Sequence, residues 1–147
     1  MKVLLAIDGS PCSDAAIKEV ARWPWPANTE IRMITVEAPL DAGLAKGSED
    51  AFDQIVNEMR AKAAKLLLTA TTQLKLEAPQ LSVTASIVEG WPKDAIVTEA
   101  ERIGADVVVV GSHGHGPIRR FFLGSVSLFV AHHAPCSVLI VRQPPEI

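Results

Sequence analysis

Four consecutive valines, Val107 to Val110, constrain this chain more than any other feature of the sequence. A continuous β-branched run predicts a strand that is buried on both faces, as in the middle of a parallel sheet. Glycines follow directly, in a G-x2-G-x9-G-S pattern that extends from Gly111 to Ser125. Glycine lets a backbone take positive φ or come close to another group. The stretch therefore predicts a loop that leaves a buried strand and can hold a ligand.

The end of this loop has the properties of a phosphate site. Ser125 stands where a new helix should begin, and a helix start offers unpaired N–H groups and the positive end of a dipole. Arg119 and Arg120 add two cations to the loop, for contact with phosphates or simply with solvent. Because short glycine motifs often occur without a ligand, a flexible connection remains an equal alternative on this stretch alone.

Strands and helices alternate along the rest of the sequence. Apolar runs and alternation predict further strands over residues 2–8, 31–36, 81–87 and 138–141. Capping residues and prolines predict helices that begin near Pro11, after Ser48, at Pro92 and at Ser125. This order calls for a parallel sheet covered by helices on both faces, in one domain over residues 1–147.

Composition narrows the class of protein. The chain is 48% hydrophobic and 21% charged with a net charge of −3, which excludes a disordered protein and gives no overall attraction to nucleic acid.

No apolar run approaches the roughly 18–20 residues that cross a bilayer, and the apolar run near Met1 predicts a strand rather than a signal peptide. Cys12 and Cys136 are too far apart to suggest a disulfide framework or a zinc site. A reducing cytoplasm is therefore expected.

The predicted topology offers a meeting point for two polar strand ends. In open parallel sheets, ligands bind outside the carboxyl ends of the strands, where the winding reverses. Asp8 ends the first strand and Gly111 ends the valine strand. If those strands are neighbours, an acid and a phosphate-binding loop share one crevice. Asp8 has a second possible role, as a cap for the first helix.

Four motifs together resemble the universal stress protein family, specifically its single-domain nucleotide-binding branch. The resemblance covers nearly the whole chain. Its motifs are Asp8-Gly9-Ser10, the stretch from Ile87 to Pro92, the glycine loop, and the segment from His133 to Arg142. It implies a doubly wound, Rossmann-like, five-stranded parallel sheet in the order 3-2-1-4-5, with ATP bound at the switch point. It also implies a homodimer through the last strand, Cys136 to Arg142.

The resemblance further implies a set of nucleotide contacts, by position in this sequence. The adenosine side would be lined by Ala6, Ile7 and Asp8, and adenine would meet the backbone of Val36. The ribose and phosphates would border Val110, Gly111, His113 and Gly114, and the phosphates would be held by Gly124, Ser125, Val126 and Ser127. Asp8 would reach the ribose hydroxyls or a phosphate-bound Mg²⁺ or Mn²⁺. AMP and ADP are alternatives to ATP as the nucleotide.

Binding is easier to support than turnover. The sequence shows no Ser-His-Asp set or paired carboxylates, and the loop lacks the Gly-Lys-Ser/Thr ending of a P-loop. We expect an ATP-binding stress or signalling protein in which hydrolysis is slow or absent and nucleotide occupancy shifts a dimer interface or an unidentified protein partner. A weak ATPase or an adenylyl-transferring enzyme is the alternative.

Three further features of the sequence have two interpretations each. His113, His115, His132 and His133 offer metal ligands, but adjacent histidines on a helix point in different directions, which argues against one shared site. Cys12 stands near a helix start, where a thiol is either redox-active or simply buried. Leu128-Phe129 falls where relatives of the family often carry polar residues, and this departure affects a surface or an interface.

Overall fold

The structure, a computed structural model that describes residues 1–41, 43, 48–116 and 122–145, alternates strands with helices throughout. The strands are β1 (Lys2–Ala6), β2 (Glu30–Glu37), β3 (Ser82–Glu89), β4 (Val107–Gly111) and β5 (Ser137–Val141). The helices are α1 (Pro11–Arg22), α2 (Glu49–Glu77), α3 (Pro92–Ile103) and α4 (Ser125–His133). The order of elements predicted from the sequence is confirmed.

The strands form one parallel sheet in the order β3-β2-β1-β4-β5. β1 lies in the middle, where Val3 pairs with Ile31 of β2 on one side and with Val107 of β4 on the other. The chain winds outward from β1 to β3 and then crosses back to β4 and β5, so the winding reverses between β1 and β4. The doubly wound five-stranded fold is therefore confirmed, and its switch point lies between the two strands that carry Asp8 and Gly111.

Successive residues of β1 lie on opposite faces of the sheet, and both faces are covered. Leu4 packs with Ile96 of α3 and Val130 of α4 in one buried cluster. Leu5 belongs to a second cluster that includes Leu67 of α2. A strand covered on both faces needs apolar side chains at consecutive positions, which explains why β1 and β4 are continuous apolar runs.

β1 ends two residues earlier than the sequence predicted, at Ala6 rather than at Asp8. The amide of Ile7 still donates to the carbonyl of Ile34 in β2, at 2.9 Å. The amide of Asp8 instead donates to the hydroxyl of Ser13 in α1, at 3.1 Å. The backbone thus turns away from the sheet at Asp8 because the first turn of α1 provides its hydrogen-bond partner.

Helix ends follow the signals in the sequence. Ser10 caps α1, where its hydroxyl accepts from the amide of Ser13 at 3.3 Å, and Pro11 occupies the first turn. α3 ends at Ile103, and the next residue, Gly104, is its C-cap; its φ of 64° is the left-handed conformation that glycine adopts without steric cost.

Within the described ranges, no helix combines the length and the apolar character that a membrane crossing requires.

Candidate functional site

A cavity of about 480 Å³ lies at the carboxyl ends of β1 and β4, where the winding of the sheet reverses. The twelve residues that the sequence analysis assigned to nucleotide contact all line it. They are Ala6, Ile7, Asp8, Val36, Val110, Gly111, His113, Gly114, Gly124, Ser125, Val126 and Ser127. The fold thus brings these residues to one place, and their contact with a nucleotide stays a prediction.

Gly111, Gly114 and Gly124, the three glycines of the G-x2-G-x9-G-S pattern, are required by close approach rather than by positive φ. A Cβ on Gly111 would lie 2.8 Å from the carbonyl carbon of Cys12 in α1. A Cβ on Gly124 would lie 3.1 Å from the carbonyl oxygen of Ser112, to which the amide of Gly124 donates at 2.7 Å. None of the four described loop glycines has positive φ. The glycine pattern therefore holds the two ends of the loop against each other and against α1.

Asp8 lies at the exposed mouth of the cavity. Its Oδ1 accepts from the amide of Ser10 at 2.9 Å, which orders the turn before α1. Its Oδ2 faces the glycine loop, because a Cβ on Gly114 would lie 2.9 Å from that oxygen. Asp8 therefore supports the start of α1, although Ser10 is the capping residue, and also places one carboxylate oxygen beside the loop.

The N-terminus of α4 opens onto the same cavity. Gly124 is the capping residue, and no side chain of the described residues caps this end of the helix. Ser127 ties the first turn to the loop, since its hydroxyl donates to the carbonyl of Ser112 at 2.8 Å and to that of Gly124 at 3.0 Å. Uncapped N–H groups at a helix start attract anions. This side of the cavity is suited to a phosphate group.

His113 lies deeper in the cavity wall and is 8% exposed. Its Nδ1 is 3.1 Å from the hydroxyl of Ser112, and its carbonyl accepts from the hydroxyl of Ser10 at 3.4 Å. Its Nε2 is buried and has no hydrogen-bond partner among the described residues. The ring is thus held on one side only.

Comparison with known protein families identifies the family to which this chain belongs. The model of the universal stress protein family matches residues 1–142. The chain belongs to the universal stress protein family. The resemblance to this family, inferred from the motifs, is confirmed, and the nucleotide-binding branch stays a prediction.

Known members of the family are similar along nearly their whole length. Universal stress protein YxiE of Bacillus subtilis is 32% identical over 149 residues, which cover 96% of this chain and 98% of that protein. Universal stress protein MJ0531 of Methanocaldococcus jannaschii is 30% identical over 147 residues, which cover 99% of this chain and 84% of that protein.

Solved structures share the fold. The hypothetical protein MJ0577 superposes with a TM-score of 0.82 at 26% identity, over 99% of this chain and 97% of that one. A universal stress protein solved in complex with cAMP superposes with a TM-score of 0.72 at 26% identity, over 97% of both chains. These similarities support the five-stranded parallel fold described above.

This universal stress protein domain also places in the cavity wall several residues that the sequence analysis did not assign to it. They are Ser10, Ser13, Pro92, Ile96, His115 and Gly116. The first four belong to the starts of α1 and α3, which follow β1 and β3 at the same sheet edge, and that position was a usable signal. His115 had no such signal, because its Nε2 lies 2.6 Å from the carbonyl oxygen of Asp8 through the folding of the loop.

The histidines do not form a metal site in the part of the chain that the structure describes. No group of three or more His, Cys, Asp or Glu side chains in those ranges could hold a metal ion. His132 and His133 lie in the last turn of α4, where the ring of His133 stacks on Phe129 with 4.0 Å between centroids.

Cys12 is 2% exposed, so its thiol is buried. Arg119 and Arg120, considered for phosphate contact, lie outside the described residues.

Proposed function

We propose that this universal stress protein binds ATP in the cavity at the switch point and acts as a binding protein with slow or no hydrolysis. The observation that carries the proposal is the convergence of Asp8, the glycine loop and the uncapped start of α4 on one cavity. Its volume of about 480 Å³ falls within the usual range of small-molecule sites. The family member solved in complex with cAMP supports an adenine nucleotide as the class of ligand.

The cavity suggests an orientation for the nucleotide. Adenosine would lie against Ala6 and Ile7, and adenine would meet backbone groups at Val36. The triphosphate would lie along the loop, with its end at the first turn of α4. A Mg²⁺ or Mn²⁺ ion bound through the phosphates would be within reach of the Asp8 carboxylate, whose Oδ2 is on the loop side. Carboxylate oxygens are ligands that both ions accept.

The same residues argue against rapid turnover. Rapid phosphoryl transfer needs positive charge beside the transferred group to stabilise its negatively charged oxygens, and in P-loop proteins a lysine contributes this charge. The sequence from Gly111 to Ser125 contains no lysine, and the described residues that line the cavity include neither lysine nor arginine. The two arginines of the loop, Arg119 and Arg120, lie outside the described residues. We therefore expect nucleotide occupancy to act as a signal by changing the dimer interface or the binding of a protein partner.

The two cysteines, Cys12 and Cys136, are both free, which suits a protein of the reducing cytoplasm.

Two measurements test this proposal. Mass spectrometry of the protein as purified identifies any nucleotide carried through purification, and calorimetry with ATP and Mg²⁺ measures affinity. Absence of a bound adenine nucleotide together with no heat of ATP binding would overturn the proposal. Release of ADP or AMP that disappears in Asp8→Ala would instead favour the enzyme alternative.

Gly114→Val is expected to weaken ATP binding by about tenfold or more, equivalent to about 1.4 kcal/mol. A Cβ at this position would lie 2.9 Å from Oδ2 of Asp8. The branched side chain therefore displaces a carboxylate at the mouth and occupies space that the phosphates need next to the backbone. Stability should change little, because the displaced atom is the end of an exposed side chain. Calorimetric titration with ATP and Mg²⁺ measures the effect.

Gly43→Val is the matched control for this substitution. A Cβ on Gly43 would also lie close to an aspartate oxygen, 3.2 Å from Oδ1 of Asp41, but Gly43 is not among the residues that line the cavity, so ATP binding should stay at the wild-type level. Equal affinities of the two variants and the wild type would remove the loop from the binding site.

We also propose that the protein is a homodimer through β5. β5 is the last strand of the sheet and pairs with β4 alone among the described strands. The carbonyl of Val141 accepts from the amide of Ser112 at 2.8 Å, so the backbone groups of Val141 face β4. Backbone groups alternate in direction along a strand, so those of Ile140 face the outer edge. Pairing with the same strand of a second copy would satisfy them about a two-fold axis.

Ile140→Pro is expected to weaken the dimer by about tenfold or more, because proline removes an edge donor from each copy. Ile140→Ala keeps the amide and separates the loss of the hydrogen bond from the loss of the side chain. Light scattering at micromolar concentration measures the mass of each variant. A monomeric wild type, as expected if the Pro144-Pro145 segment covers the edge, would contradict the proposal. A stable Ile140→Pro dimer would place the interface elsewhere.

A further inference from the structure

Three buried side chains form a continuous line behind the cavity. Cys12 Sγ is 3.5 Å from Ser112 Oγ, and this hydroxyl is 3.1 Å from His113 Nδ1. Their exposed fractions are 2%, 1% and 8%, respectively. Of the three, His113 alone lines the cavity, so the other two act on a ligand only through it.

The far nitrogen of the His113 ring lacks a partner. Nε2 is buried and makes no hydrogen bond to any described residue. Buried polar atoms in folded proteins are almost always hydrogen-bonded, so an unpaired one indicates a place for a water molecule or a ligand. A ligand in the cavity that His113 lines can supply this partner.

The direction of the hydrogen bonds in the line decides what Nε2 offers. A neutral imidazole carries one proton, so one ring nitrogen donates and the other accepts. If the Ser112 hydroxyl donates to Nδ1, the proton is on Nε2 and the Cys12 thiol can donate to the Ser112 oxygen. If Nδ1 carries the proton, the Ser112 hydroxyl must turn to the sulfur of Cys12, which is a weak acceptor. The first arrangement gives the hydroxyl the stronger acceptor.

The backbone holds the three side chains in place. Gly111 approaches Cys12 so closely that a Cβ would lie 2.8 Å from its carbonyl carbon. The hydroxyl of Ser10 donates to the carbonyl of His113 at 3.4 Å. The first turn of α1 and the end of β4 are thus fixed to each other on both sides of Ser112. The backbone around Ser112 is therefore fixed, and the burial of the His113 ring, which is 8% exposed, restricts its rotation toward another partner for Nδ1.

We propose that Ser112, supported by Cys12, holds His113 in the tautomer with its proton on Nε2, so that this N–H donates to an oxygen of the bound nucleotide. The proposal rests on the proposed nucleotide site. Phosphate oxygens accept hydrogen bonds, so the Nε2–H tautomer matches them and the other tautomer does not. Ser112 and Cys12 are positioning residues, and His113 is the residue that touches the ligand.

The tautomer is measured without any nucleotide. A long-range ¹H–¹⁵N correlation spectrum of the labelled wild-type protein distinguishes protonated from unprotonated ring nitrogens, and so separates the two neutral tautomers from the doubly protonated ring. The His113 signals are assigned by their loss in His113→Gln. We expect Nε2 protonated and Nδ1 unprotonated. The opposite pattern overturns the proposal and leaves the proposed function unaffected.

Affinity is measured next, by calorimetry with ATP and Mg²⁺. Ser112→Ala is expected to bind ATP about tenfold more weakly and to show both tautomers of His113. Cys12→Ser keeps a donor to Ser112 and is expected to keep the wild-type tautomer of His113. If Ser112→Ala does not fold, the tautomer of the wild-type protein decides the proposal. Unchanged affinity and an unchanged tautomer in Ser112→Ala would overturn the proposal.

Thr29→Ala provides the matched control for the loss of a buried hydroxyl. Thr29 is 1% exposed, and its hydroxyl donates to the carbonyl of Pro26 at 2.6 Å, outside the set of residues that line the cavity. Its affinity for ATP should equal that of wild type. If wild type itself does not bind ATP, the proposed function fails and the tautomer spectrum still decides the role of Ser112.

Discussion

Leu4→Ala is expected to lower the free energy of unfolding by about 2–5 kcal/mol. Leu4 has no exposed surface and lies in β1, the middle strand of the sheet. It packs in the cluster that contains Ile96 and Val130, beneath α3 and α4. The strands on both sides hold the backbone of β1 in place, so the space left by the lost side chain cannot close fully. Urea denaturation followed by circular dichroism measures the change.

Leu68→Ala is the control for this substitution. Leu68 is 69% exposed on α2, so the same atoms are removed from a side chain that already contacts water. Its effect should stay within about 0.5 kcal/mol. Similar losses in both variants would mean that Leu4 does not occupy the close-packed interior described above.

Gly111→Ala is expected to lower the free energy of unfolding by about 1–3 kcal/mol, and Gly111→Val by more. The added Cβ would lie 2.8 Å from the carbonyl carbon of Cys12 and 3.0 Å from its carbonyl oxygen. These are backbone atoms in the first turn of α1, so no side-chain rotation relieves the contact. Either the helix or the end of β4 must shift, and the cavity between them changes shape. Urea denaturation and ATP titration of the same variant measure both consequences.

Gly116→Ala separates this contact from the general effect of replacing a loop glycine. A Cβ on Gly116 meets no heavy atom of the described residues within 4 Å. The substitution should cause no loss, and a gain of up to about 1 kcal/mol is consistent with a less flexible unfolded chain. Equal losses at Gly111 and Gly116 would show that close approach to α1 is not what requires glycine.

Patterns in the sequence were sufficient for the elements of the fold but not for their order in the sheet. Consecutive apolar residues identified β1 and β4 as strands covered on both faces, because only such strands lack a polar side. Alternation indicated that β3 lies near an edge, and it is an edge strand. The reversal of the winding between β1 and β4 came from the family resemblance, since the residues themselves do not say which strands are neighbours.

Some cavity residues could be identified from local sequence patterns, and others could not. Gly111, Gly124 and Ser125 were identifiable because each stands at a strand end or a helix start. The physical role of the two glycines was identified only in part, since Gly111 and Gly124 are needed for close approach and not for positive φ. The contacts of His115 with Asp8 and of Ser112 with Cys12 join segments about a hundred residues apart. No local pattern encodes such contacts, because they depend on how the loop after β4 packs against the turn at Asp8 and the start of α1.

The central position of β1 has a consequence for synthesis on the ribosome. β1 and β2 are close in sequence, whereas the other neighbour of β1 is β4, in which Val107 pairs with Val3. At about 5–20 residues per second, β4 is made roughly 5–20 s after β1. Until then, a nascent sheet of β3, β2 and β1 exposes the unpaired inner edge of β1, and such edges promote aggregation. The chain is therefore most exposed to edge-to-edge aggregation during this interval, before the valine strand has been synthesised and inserted.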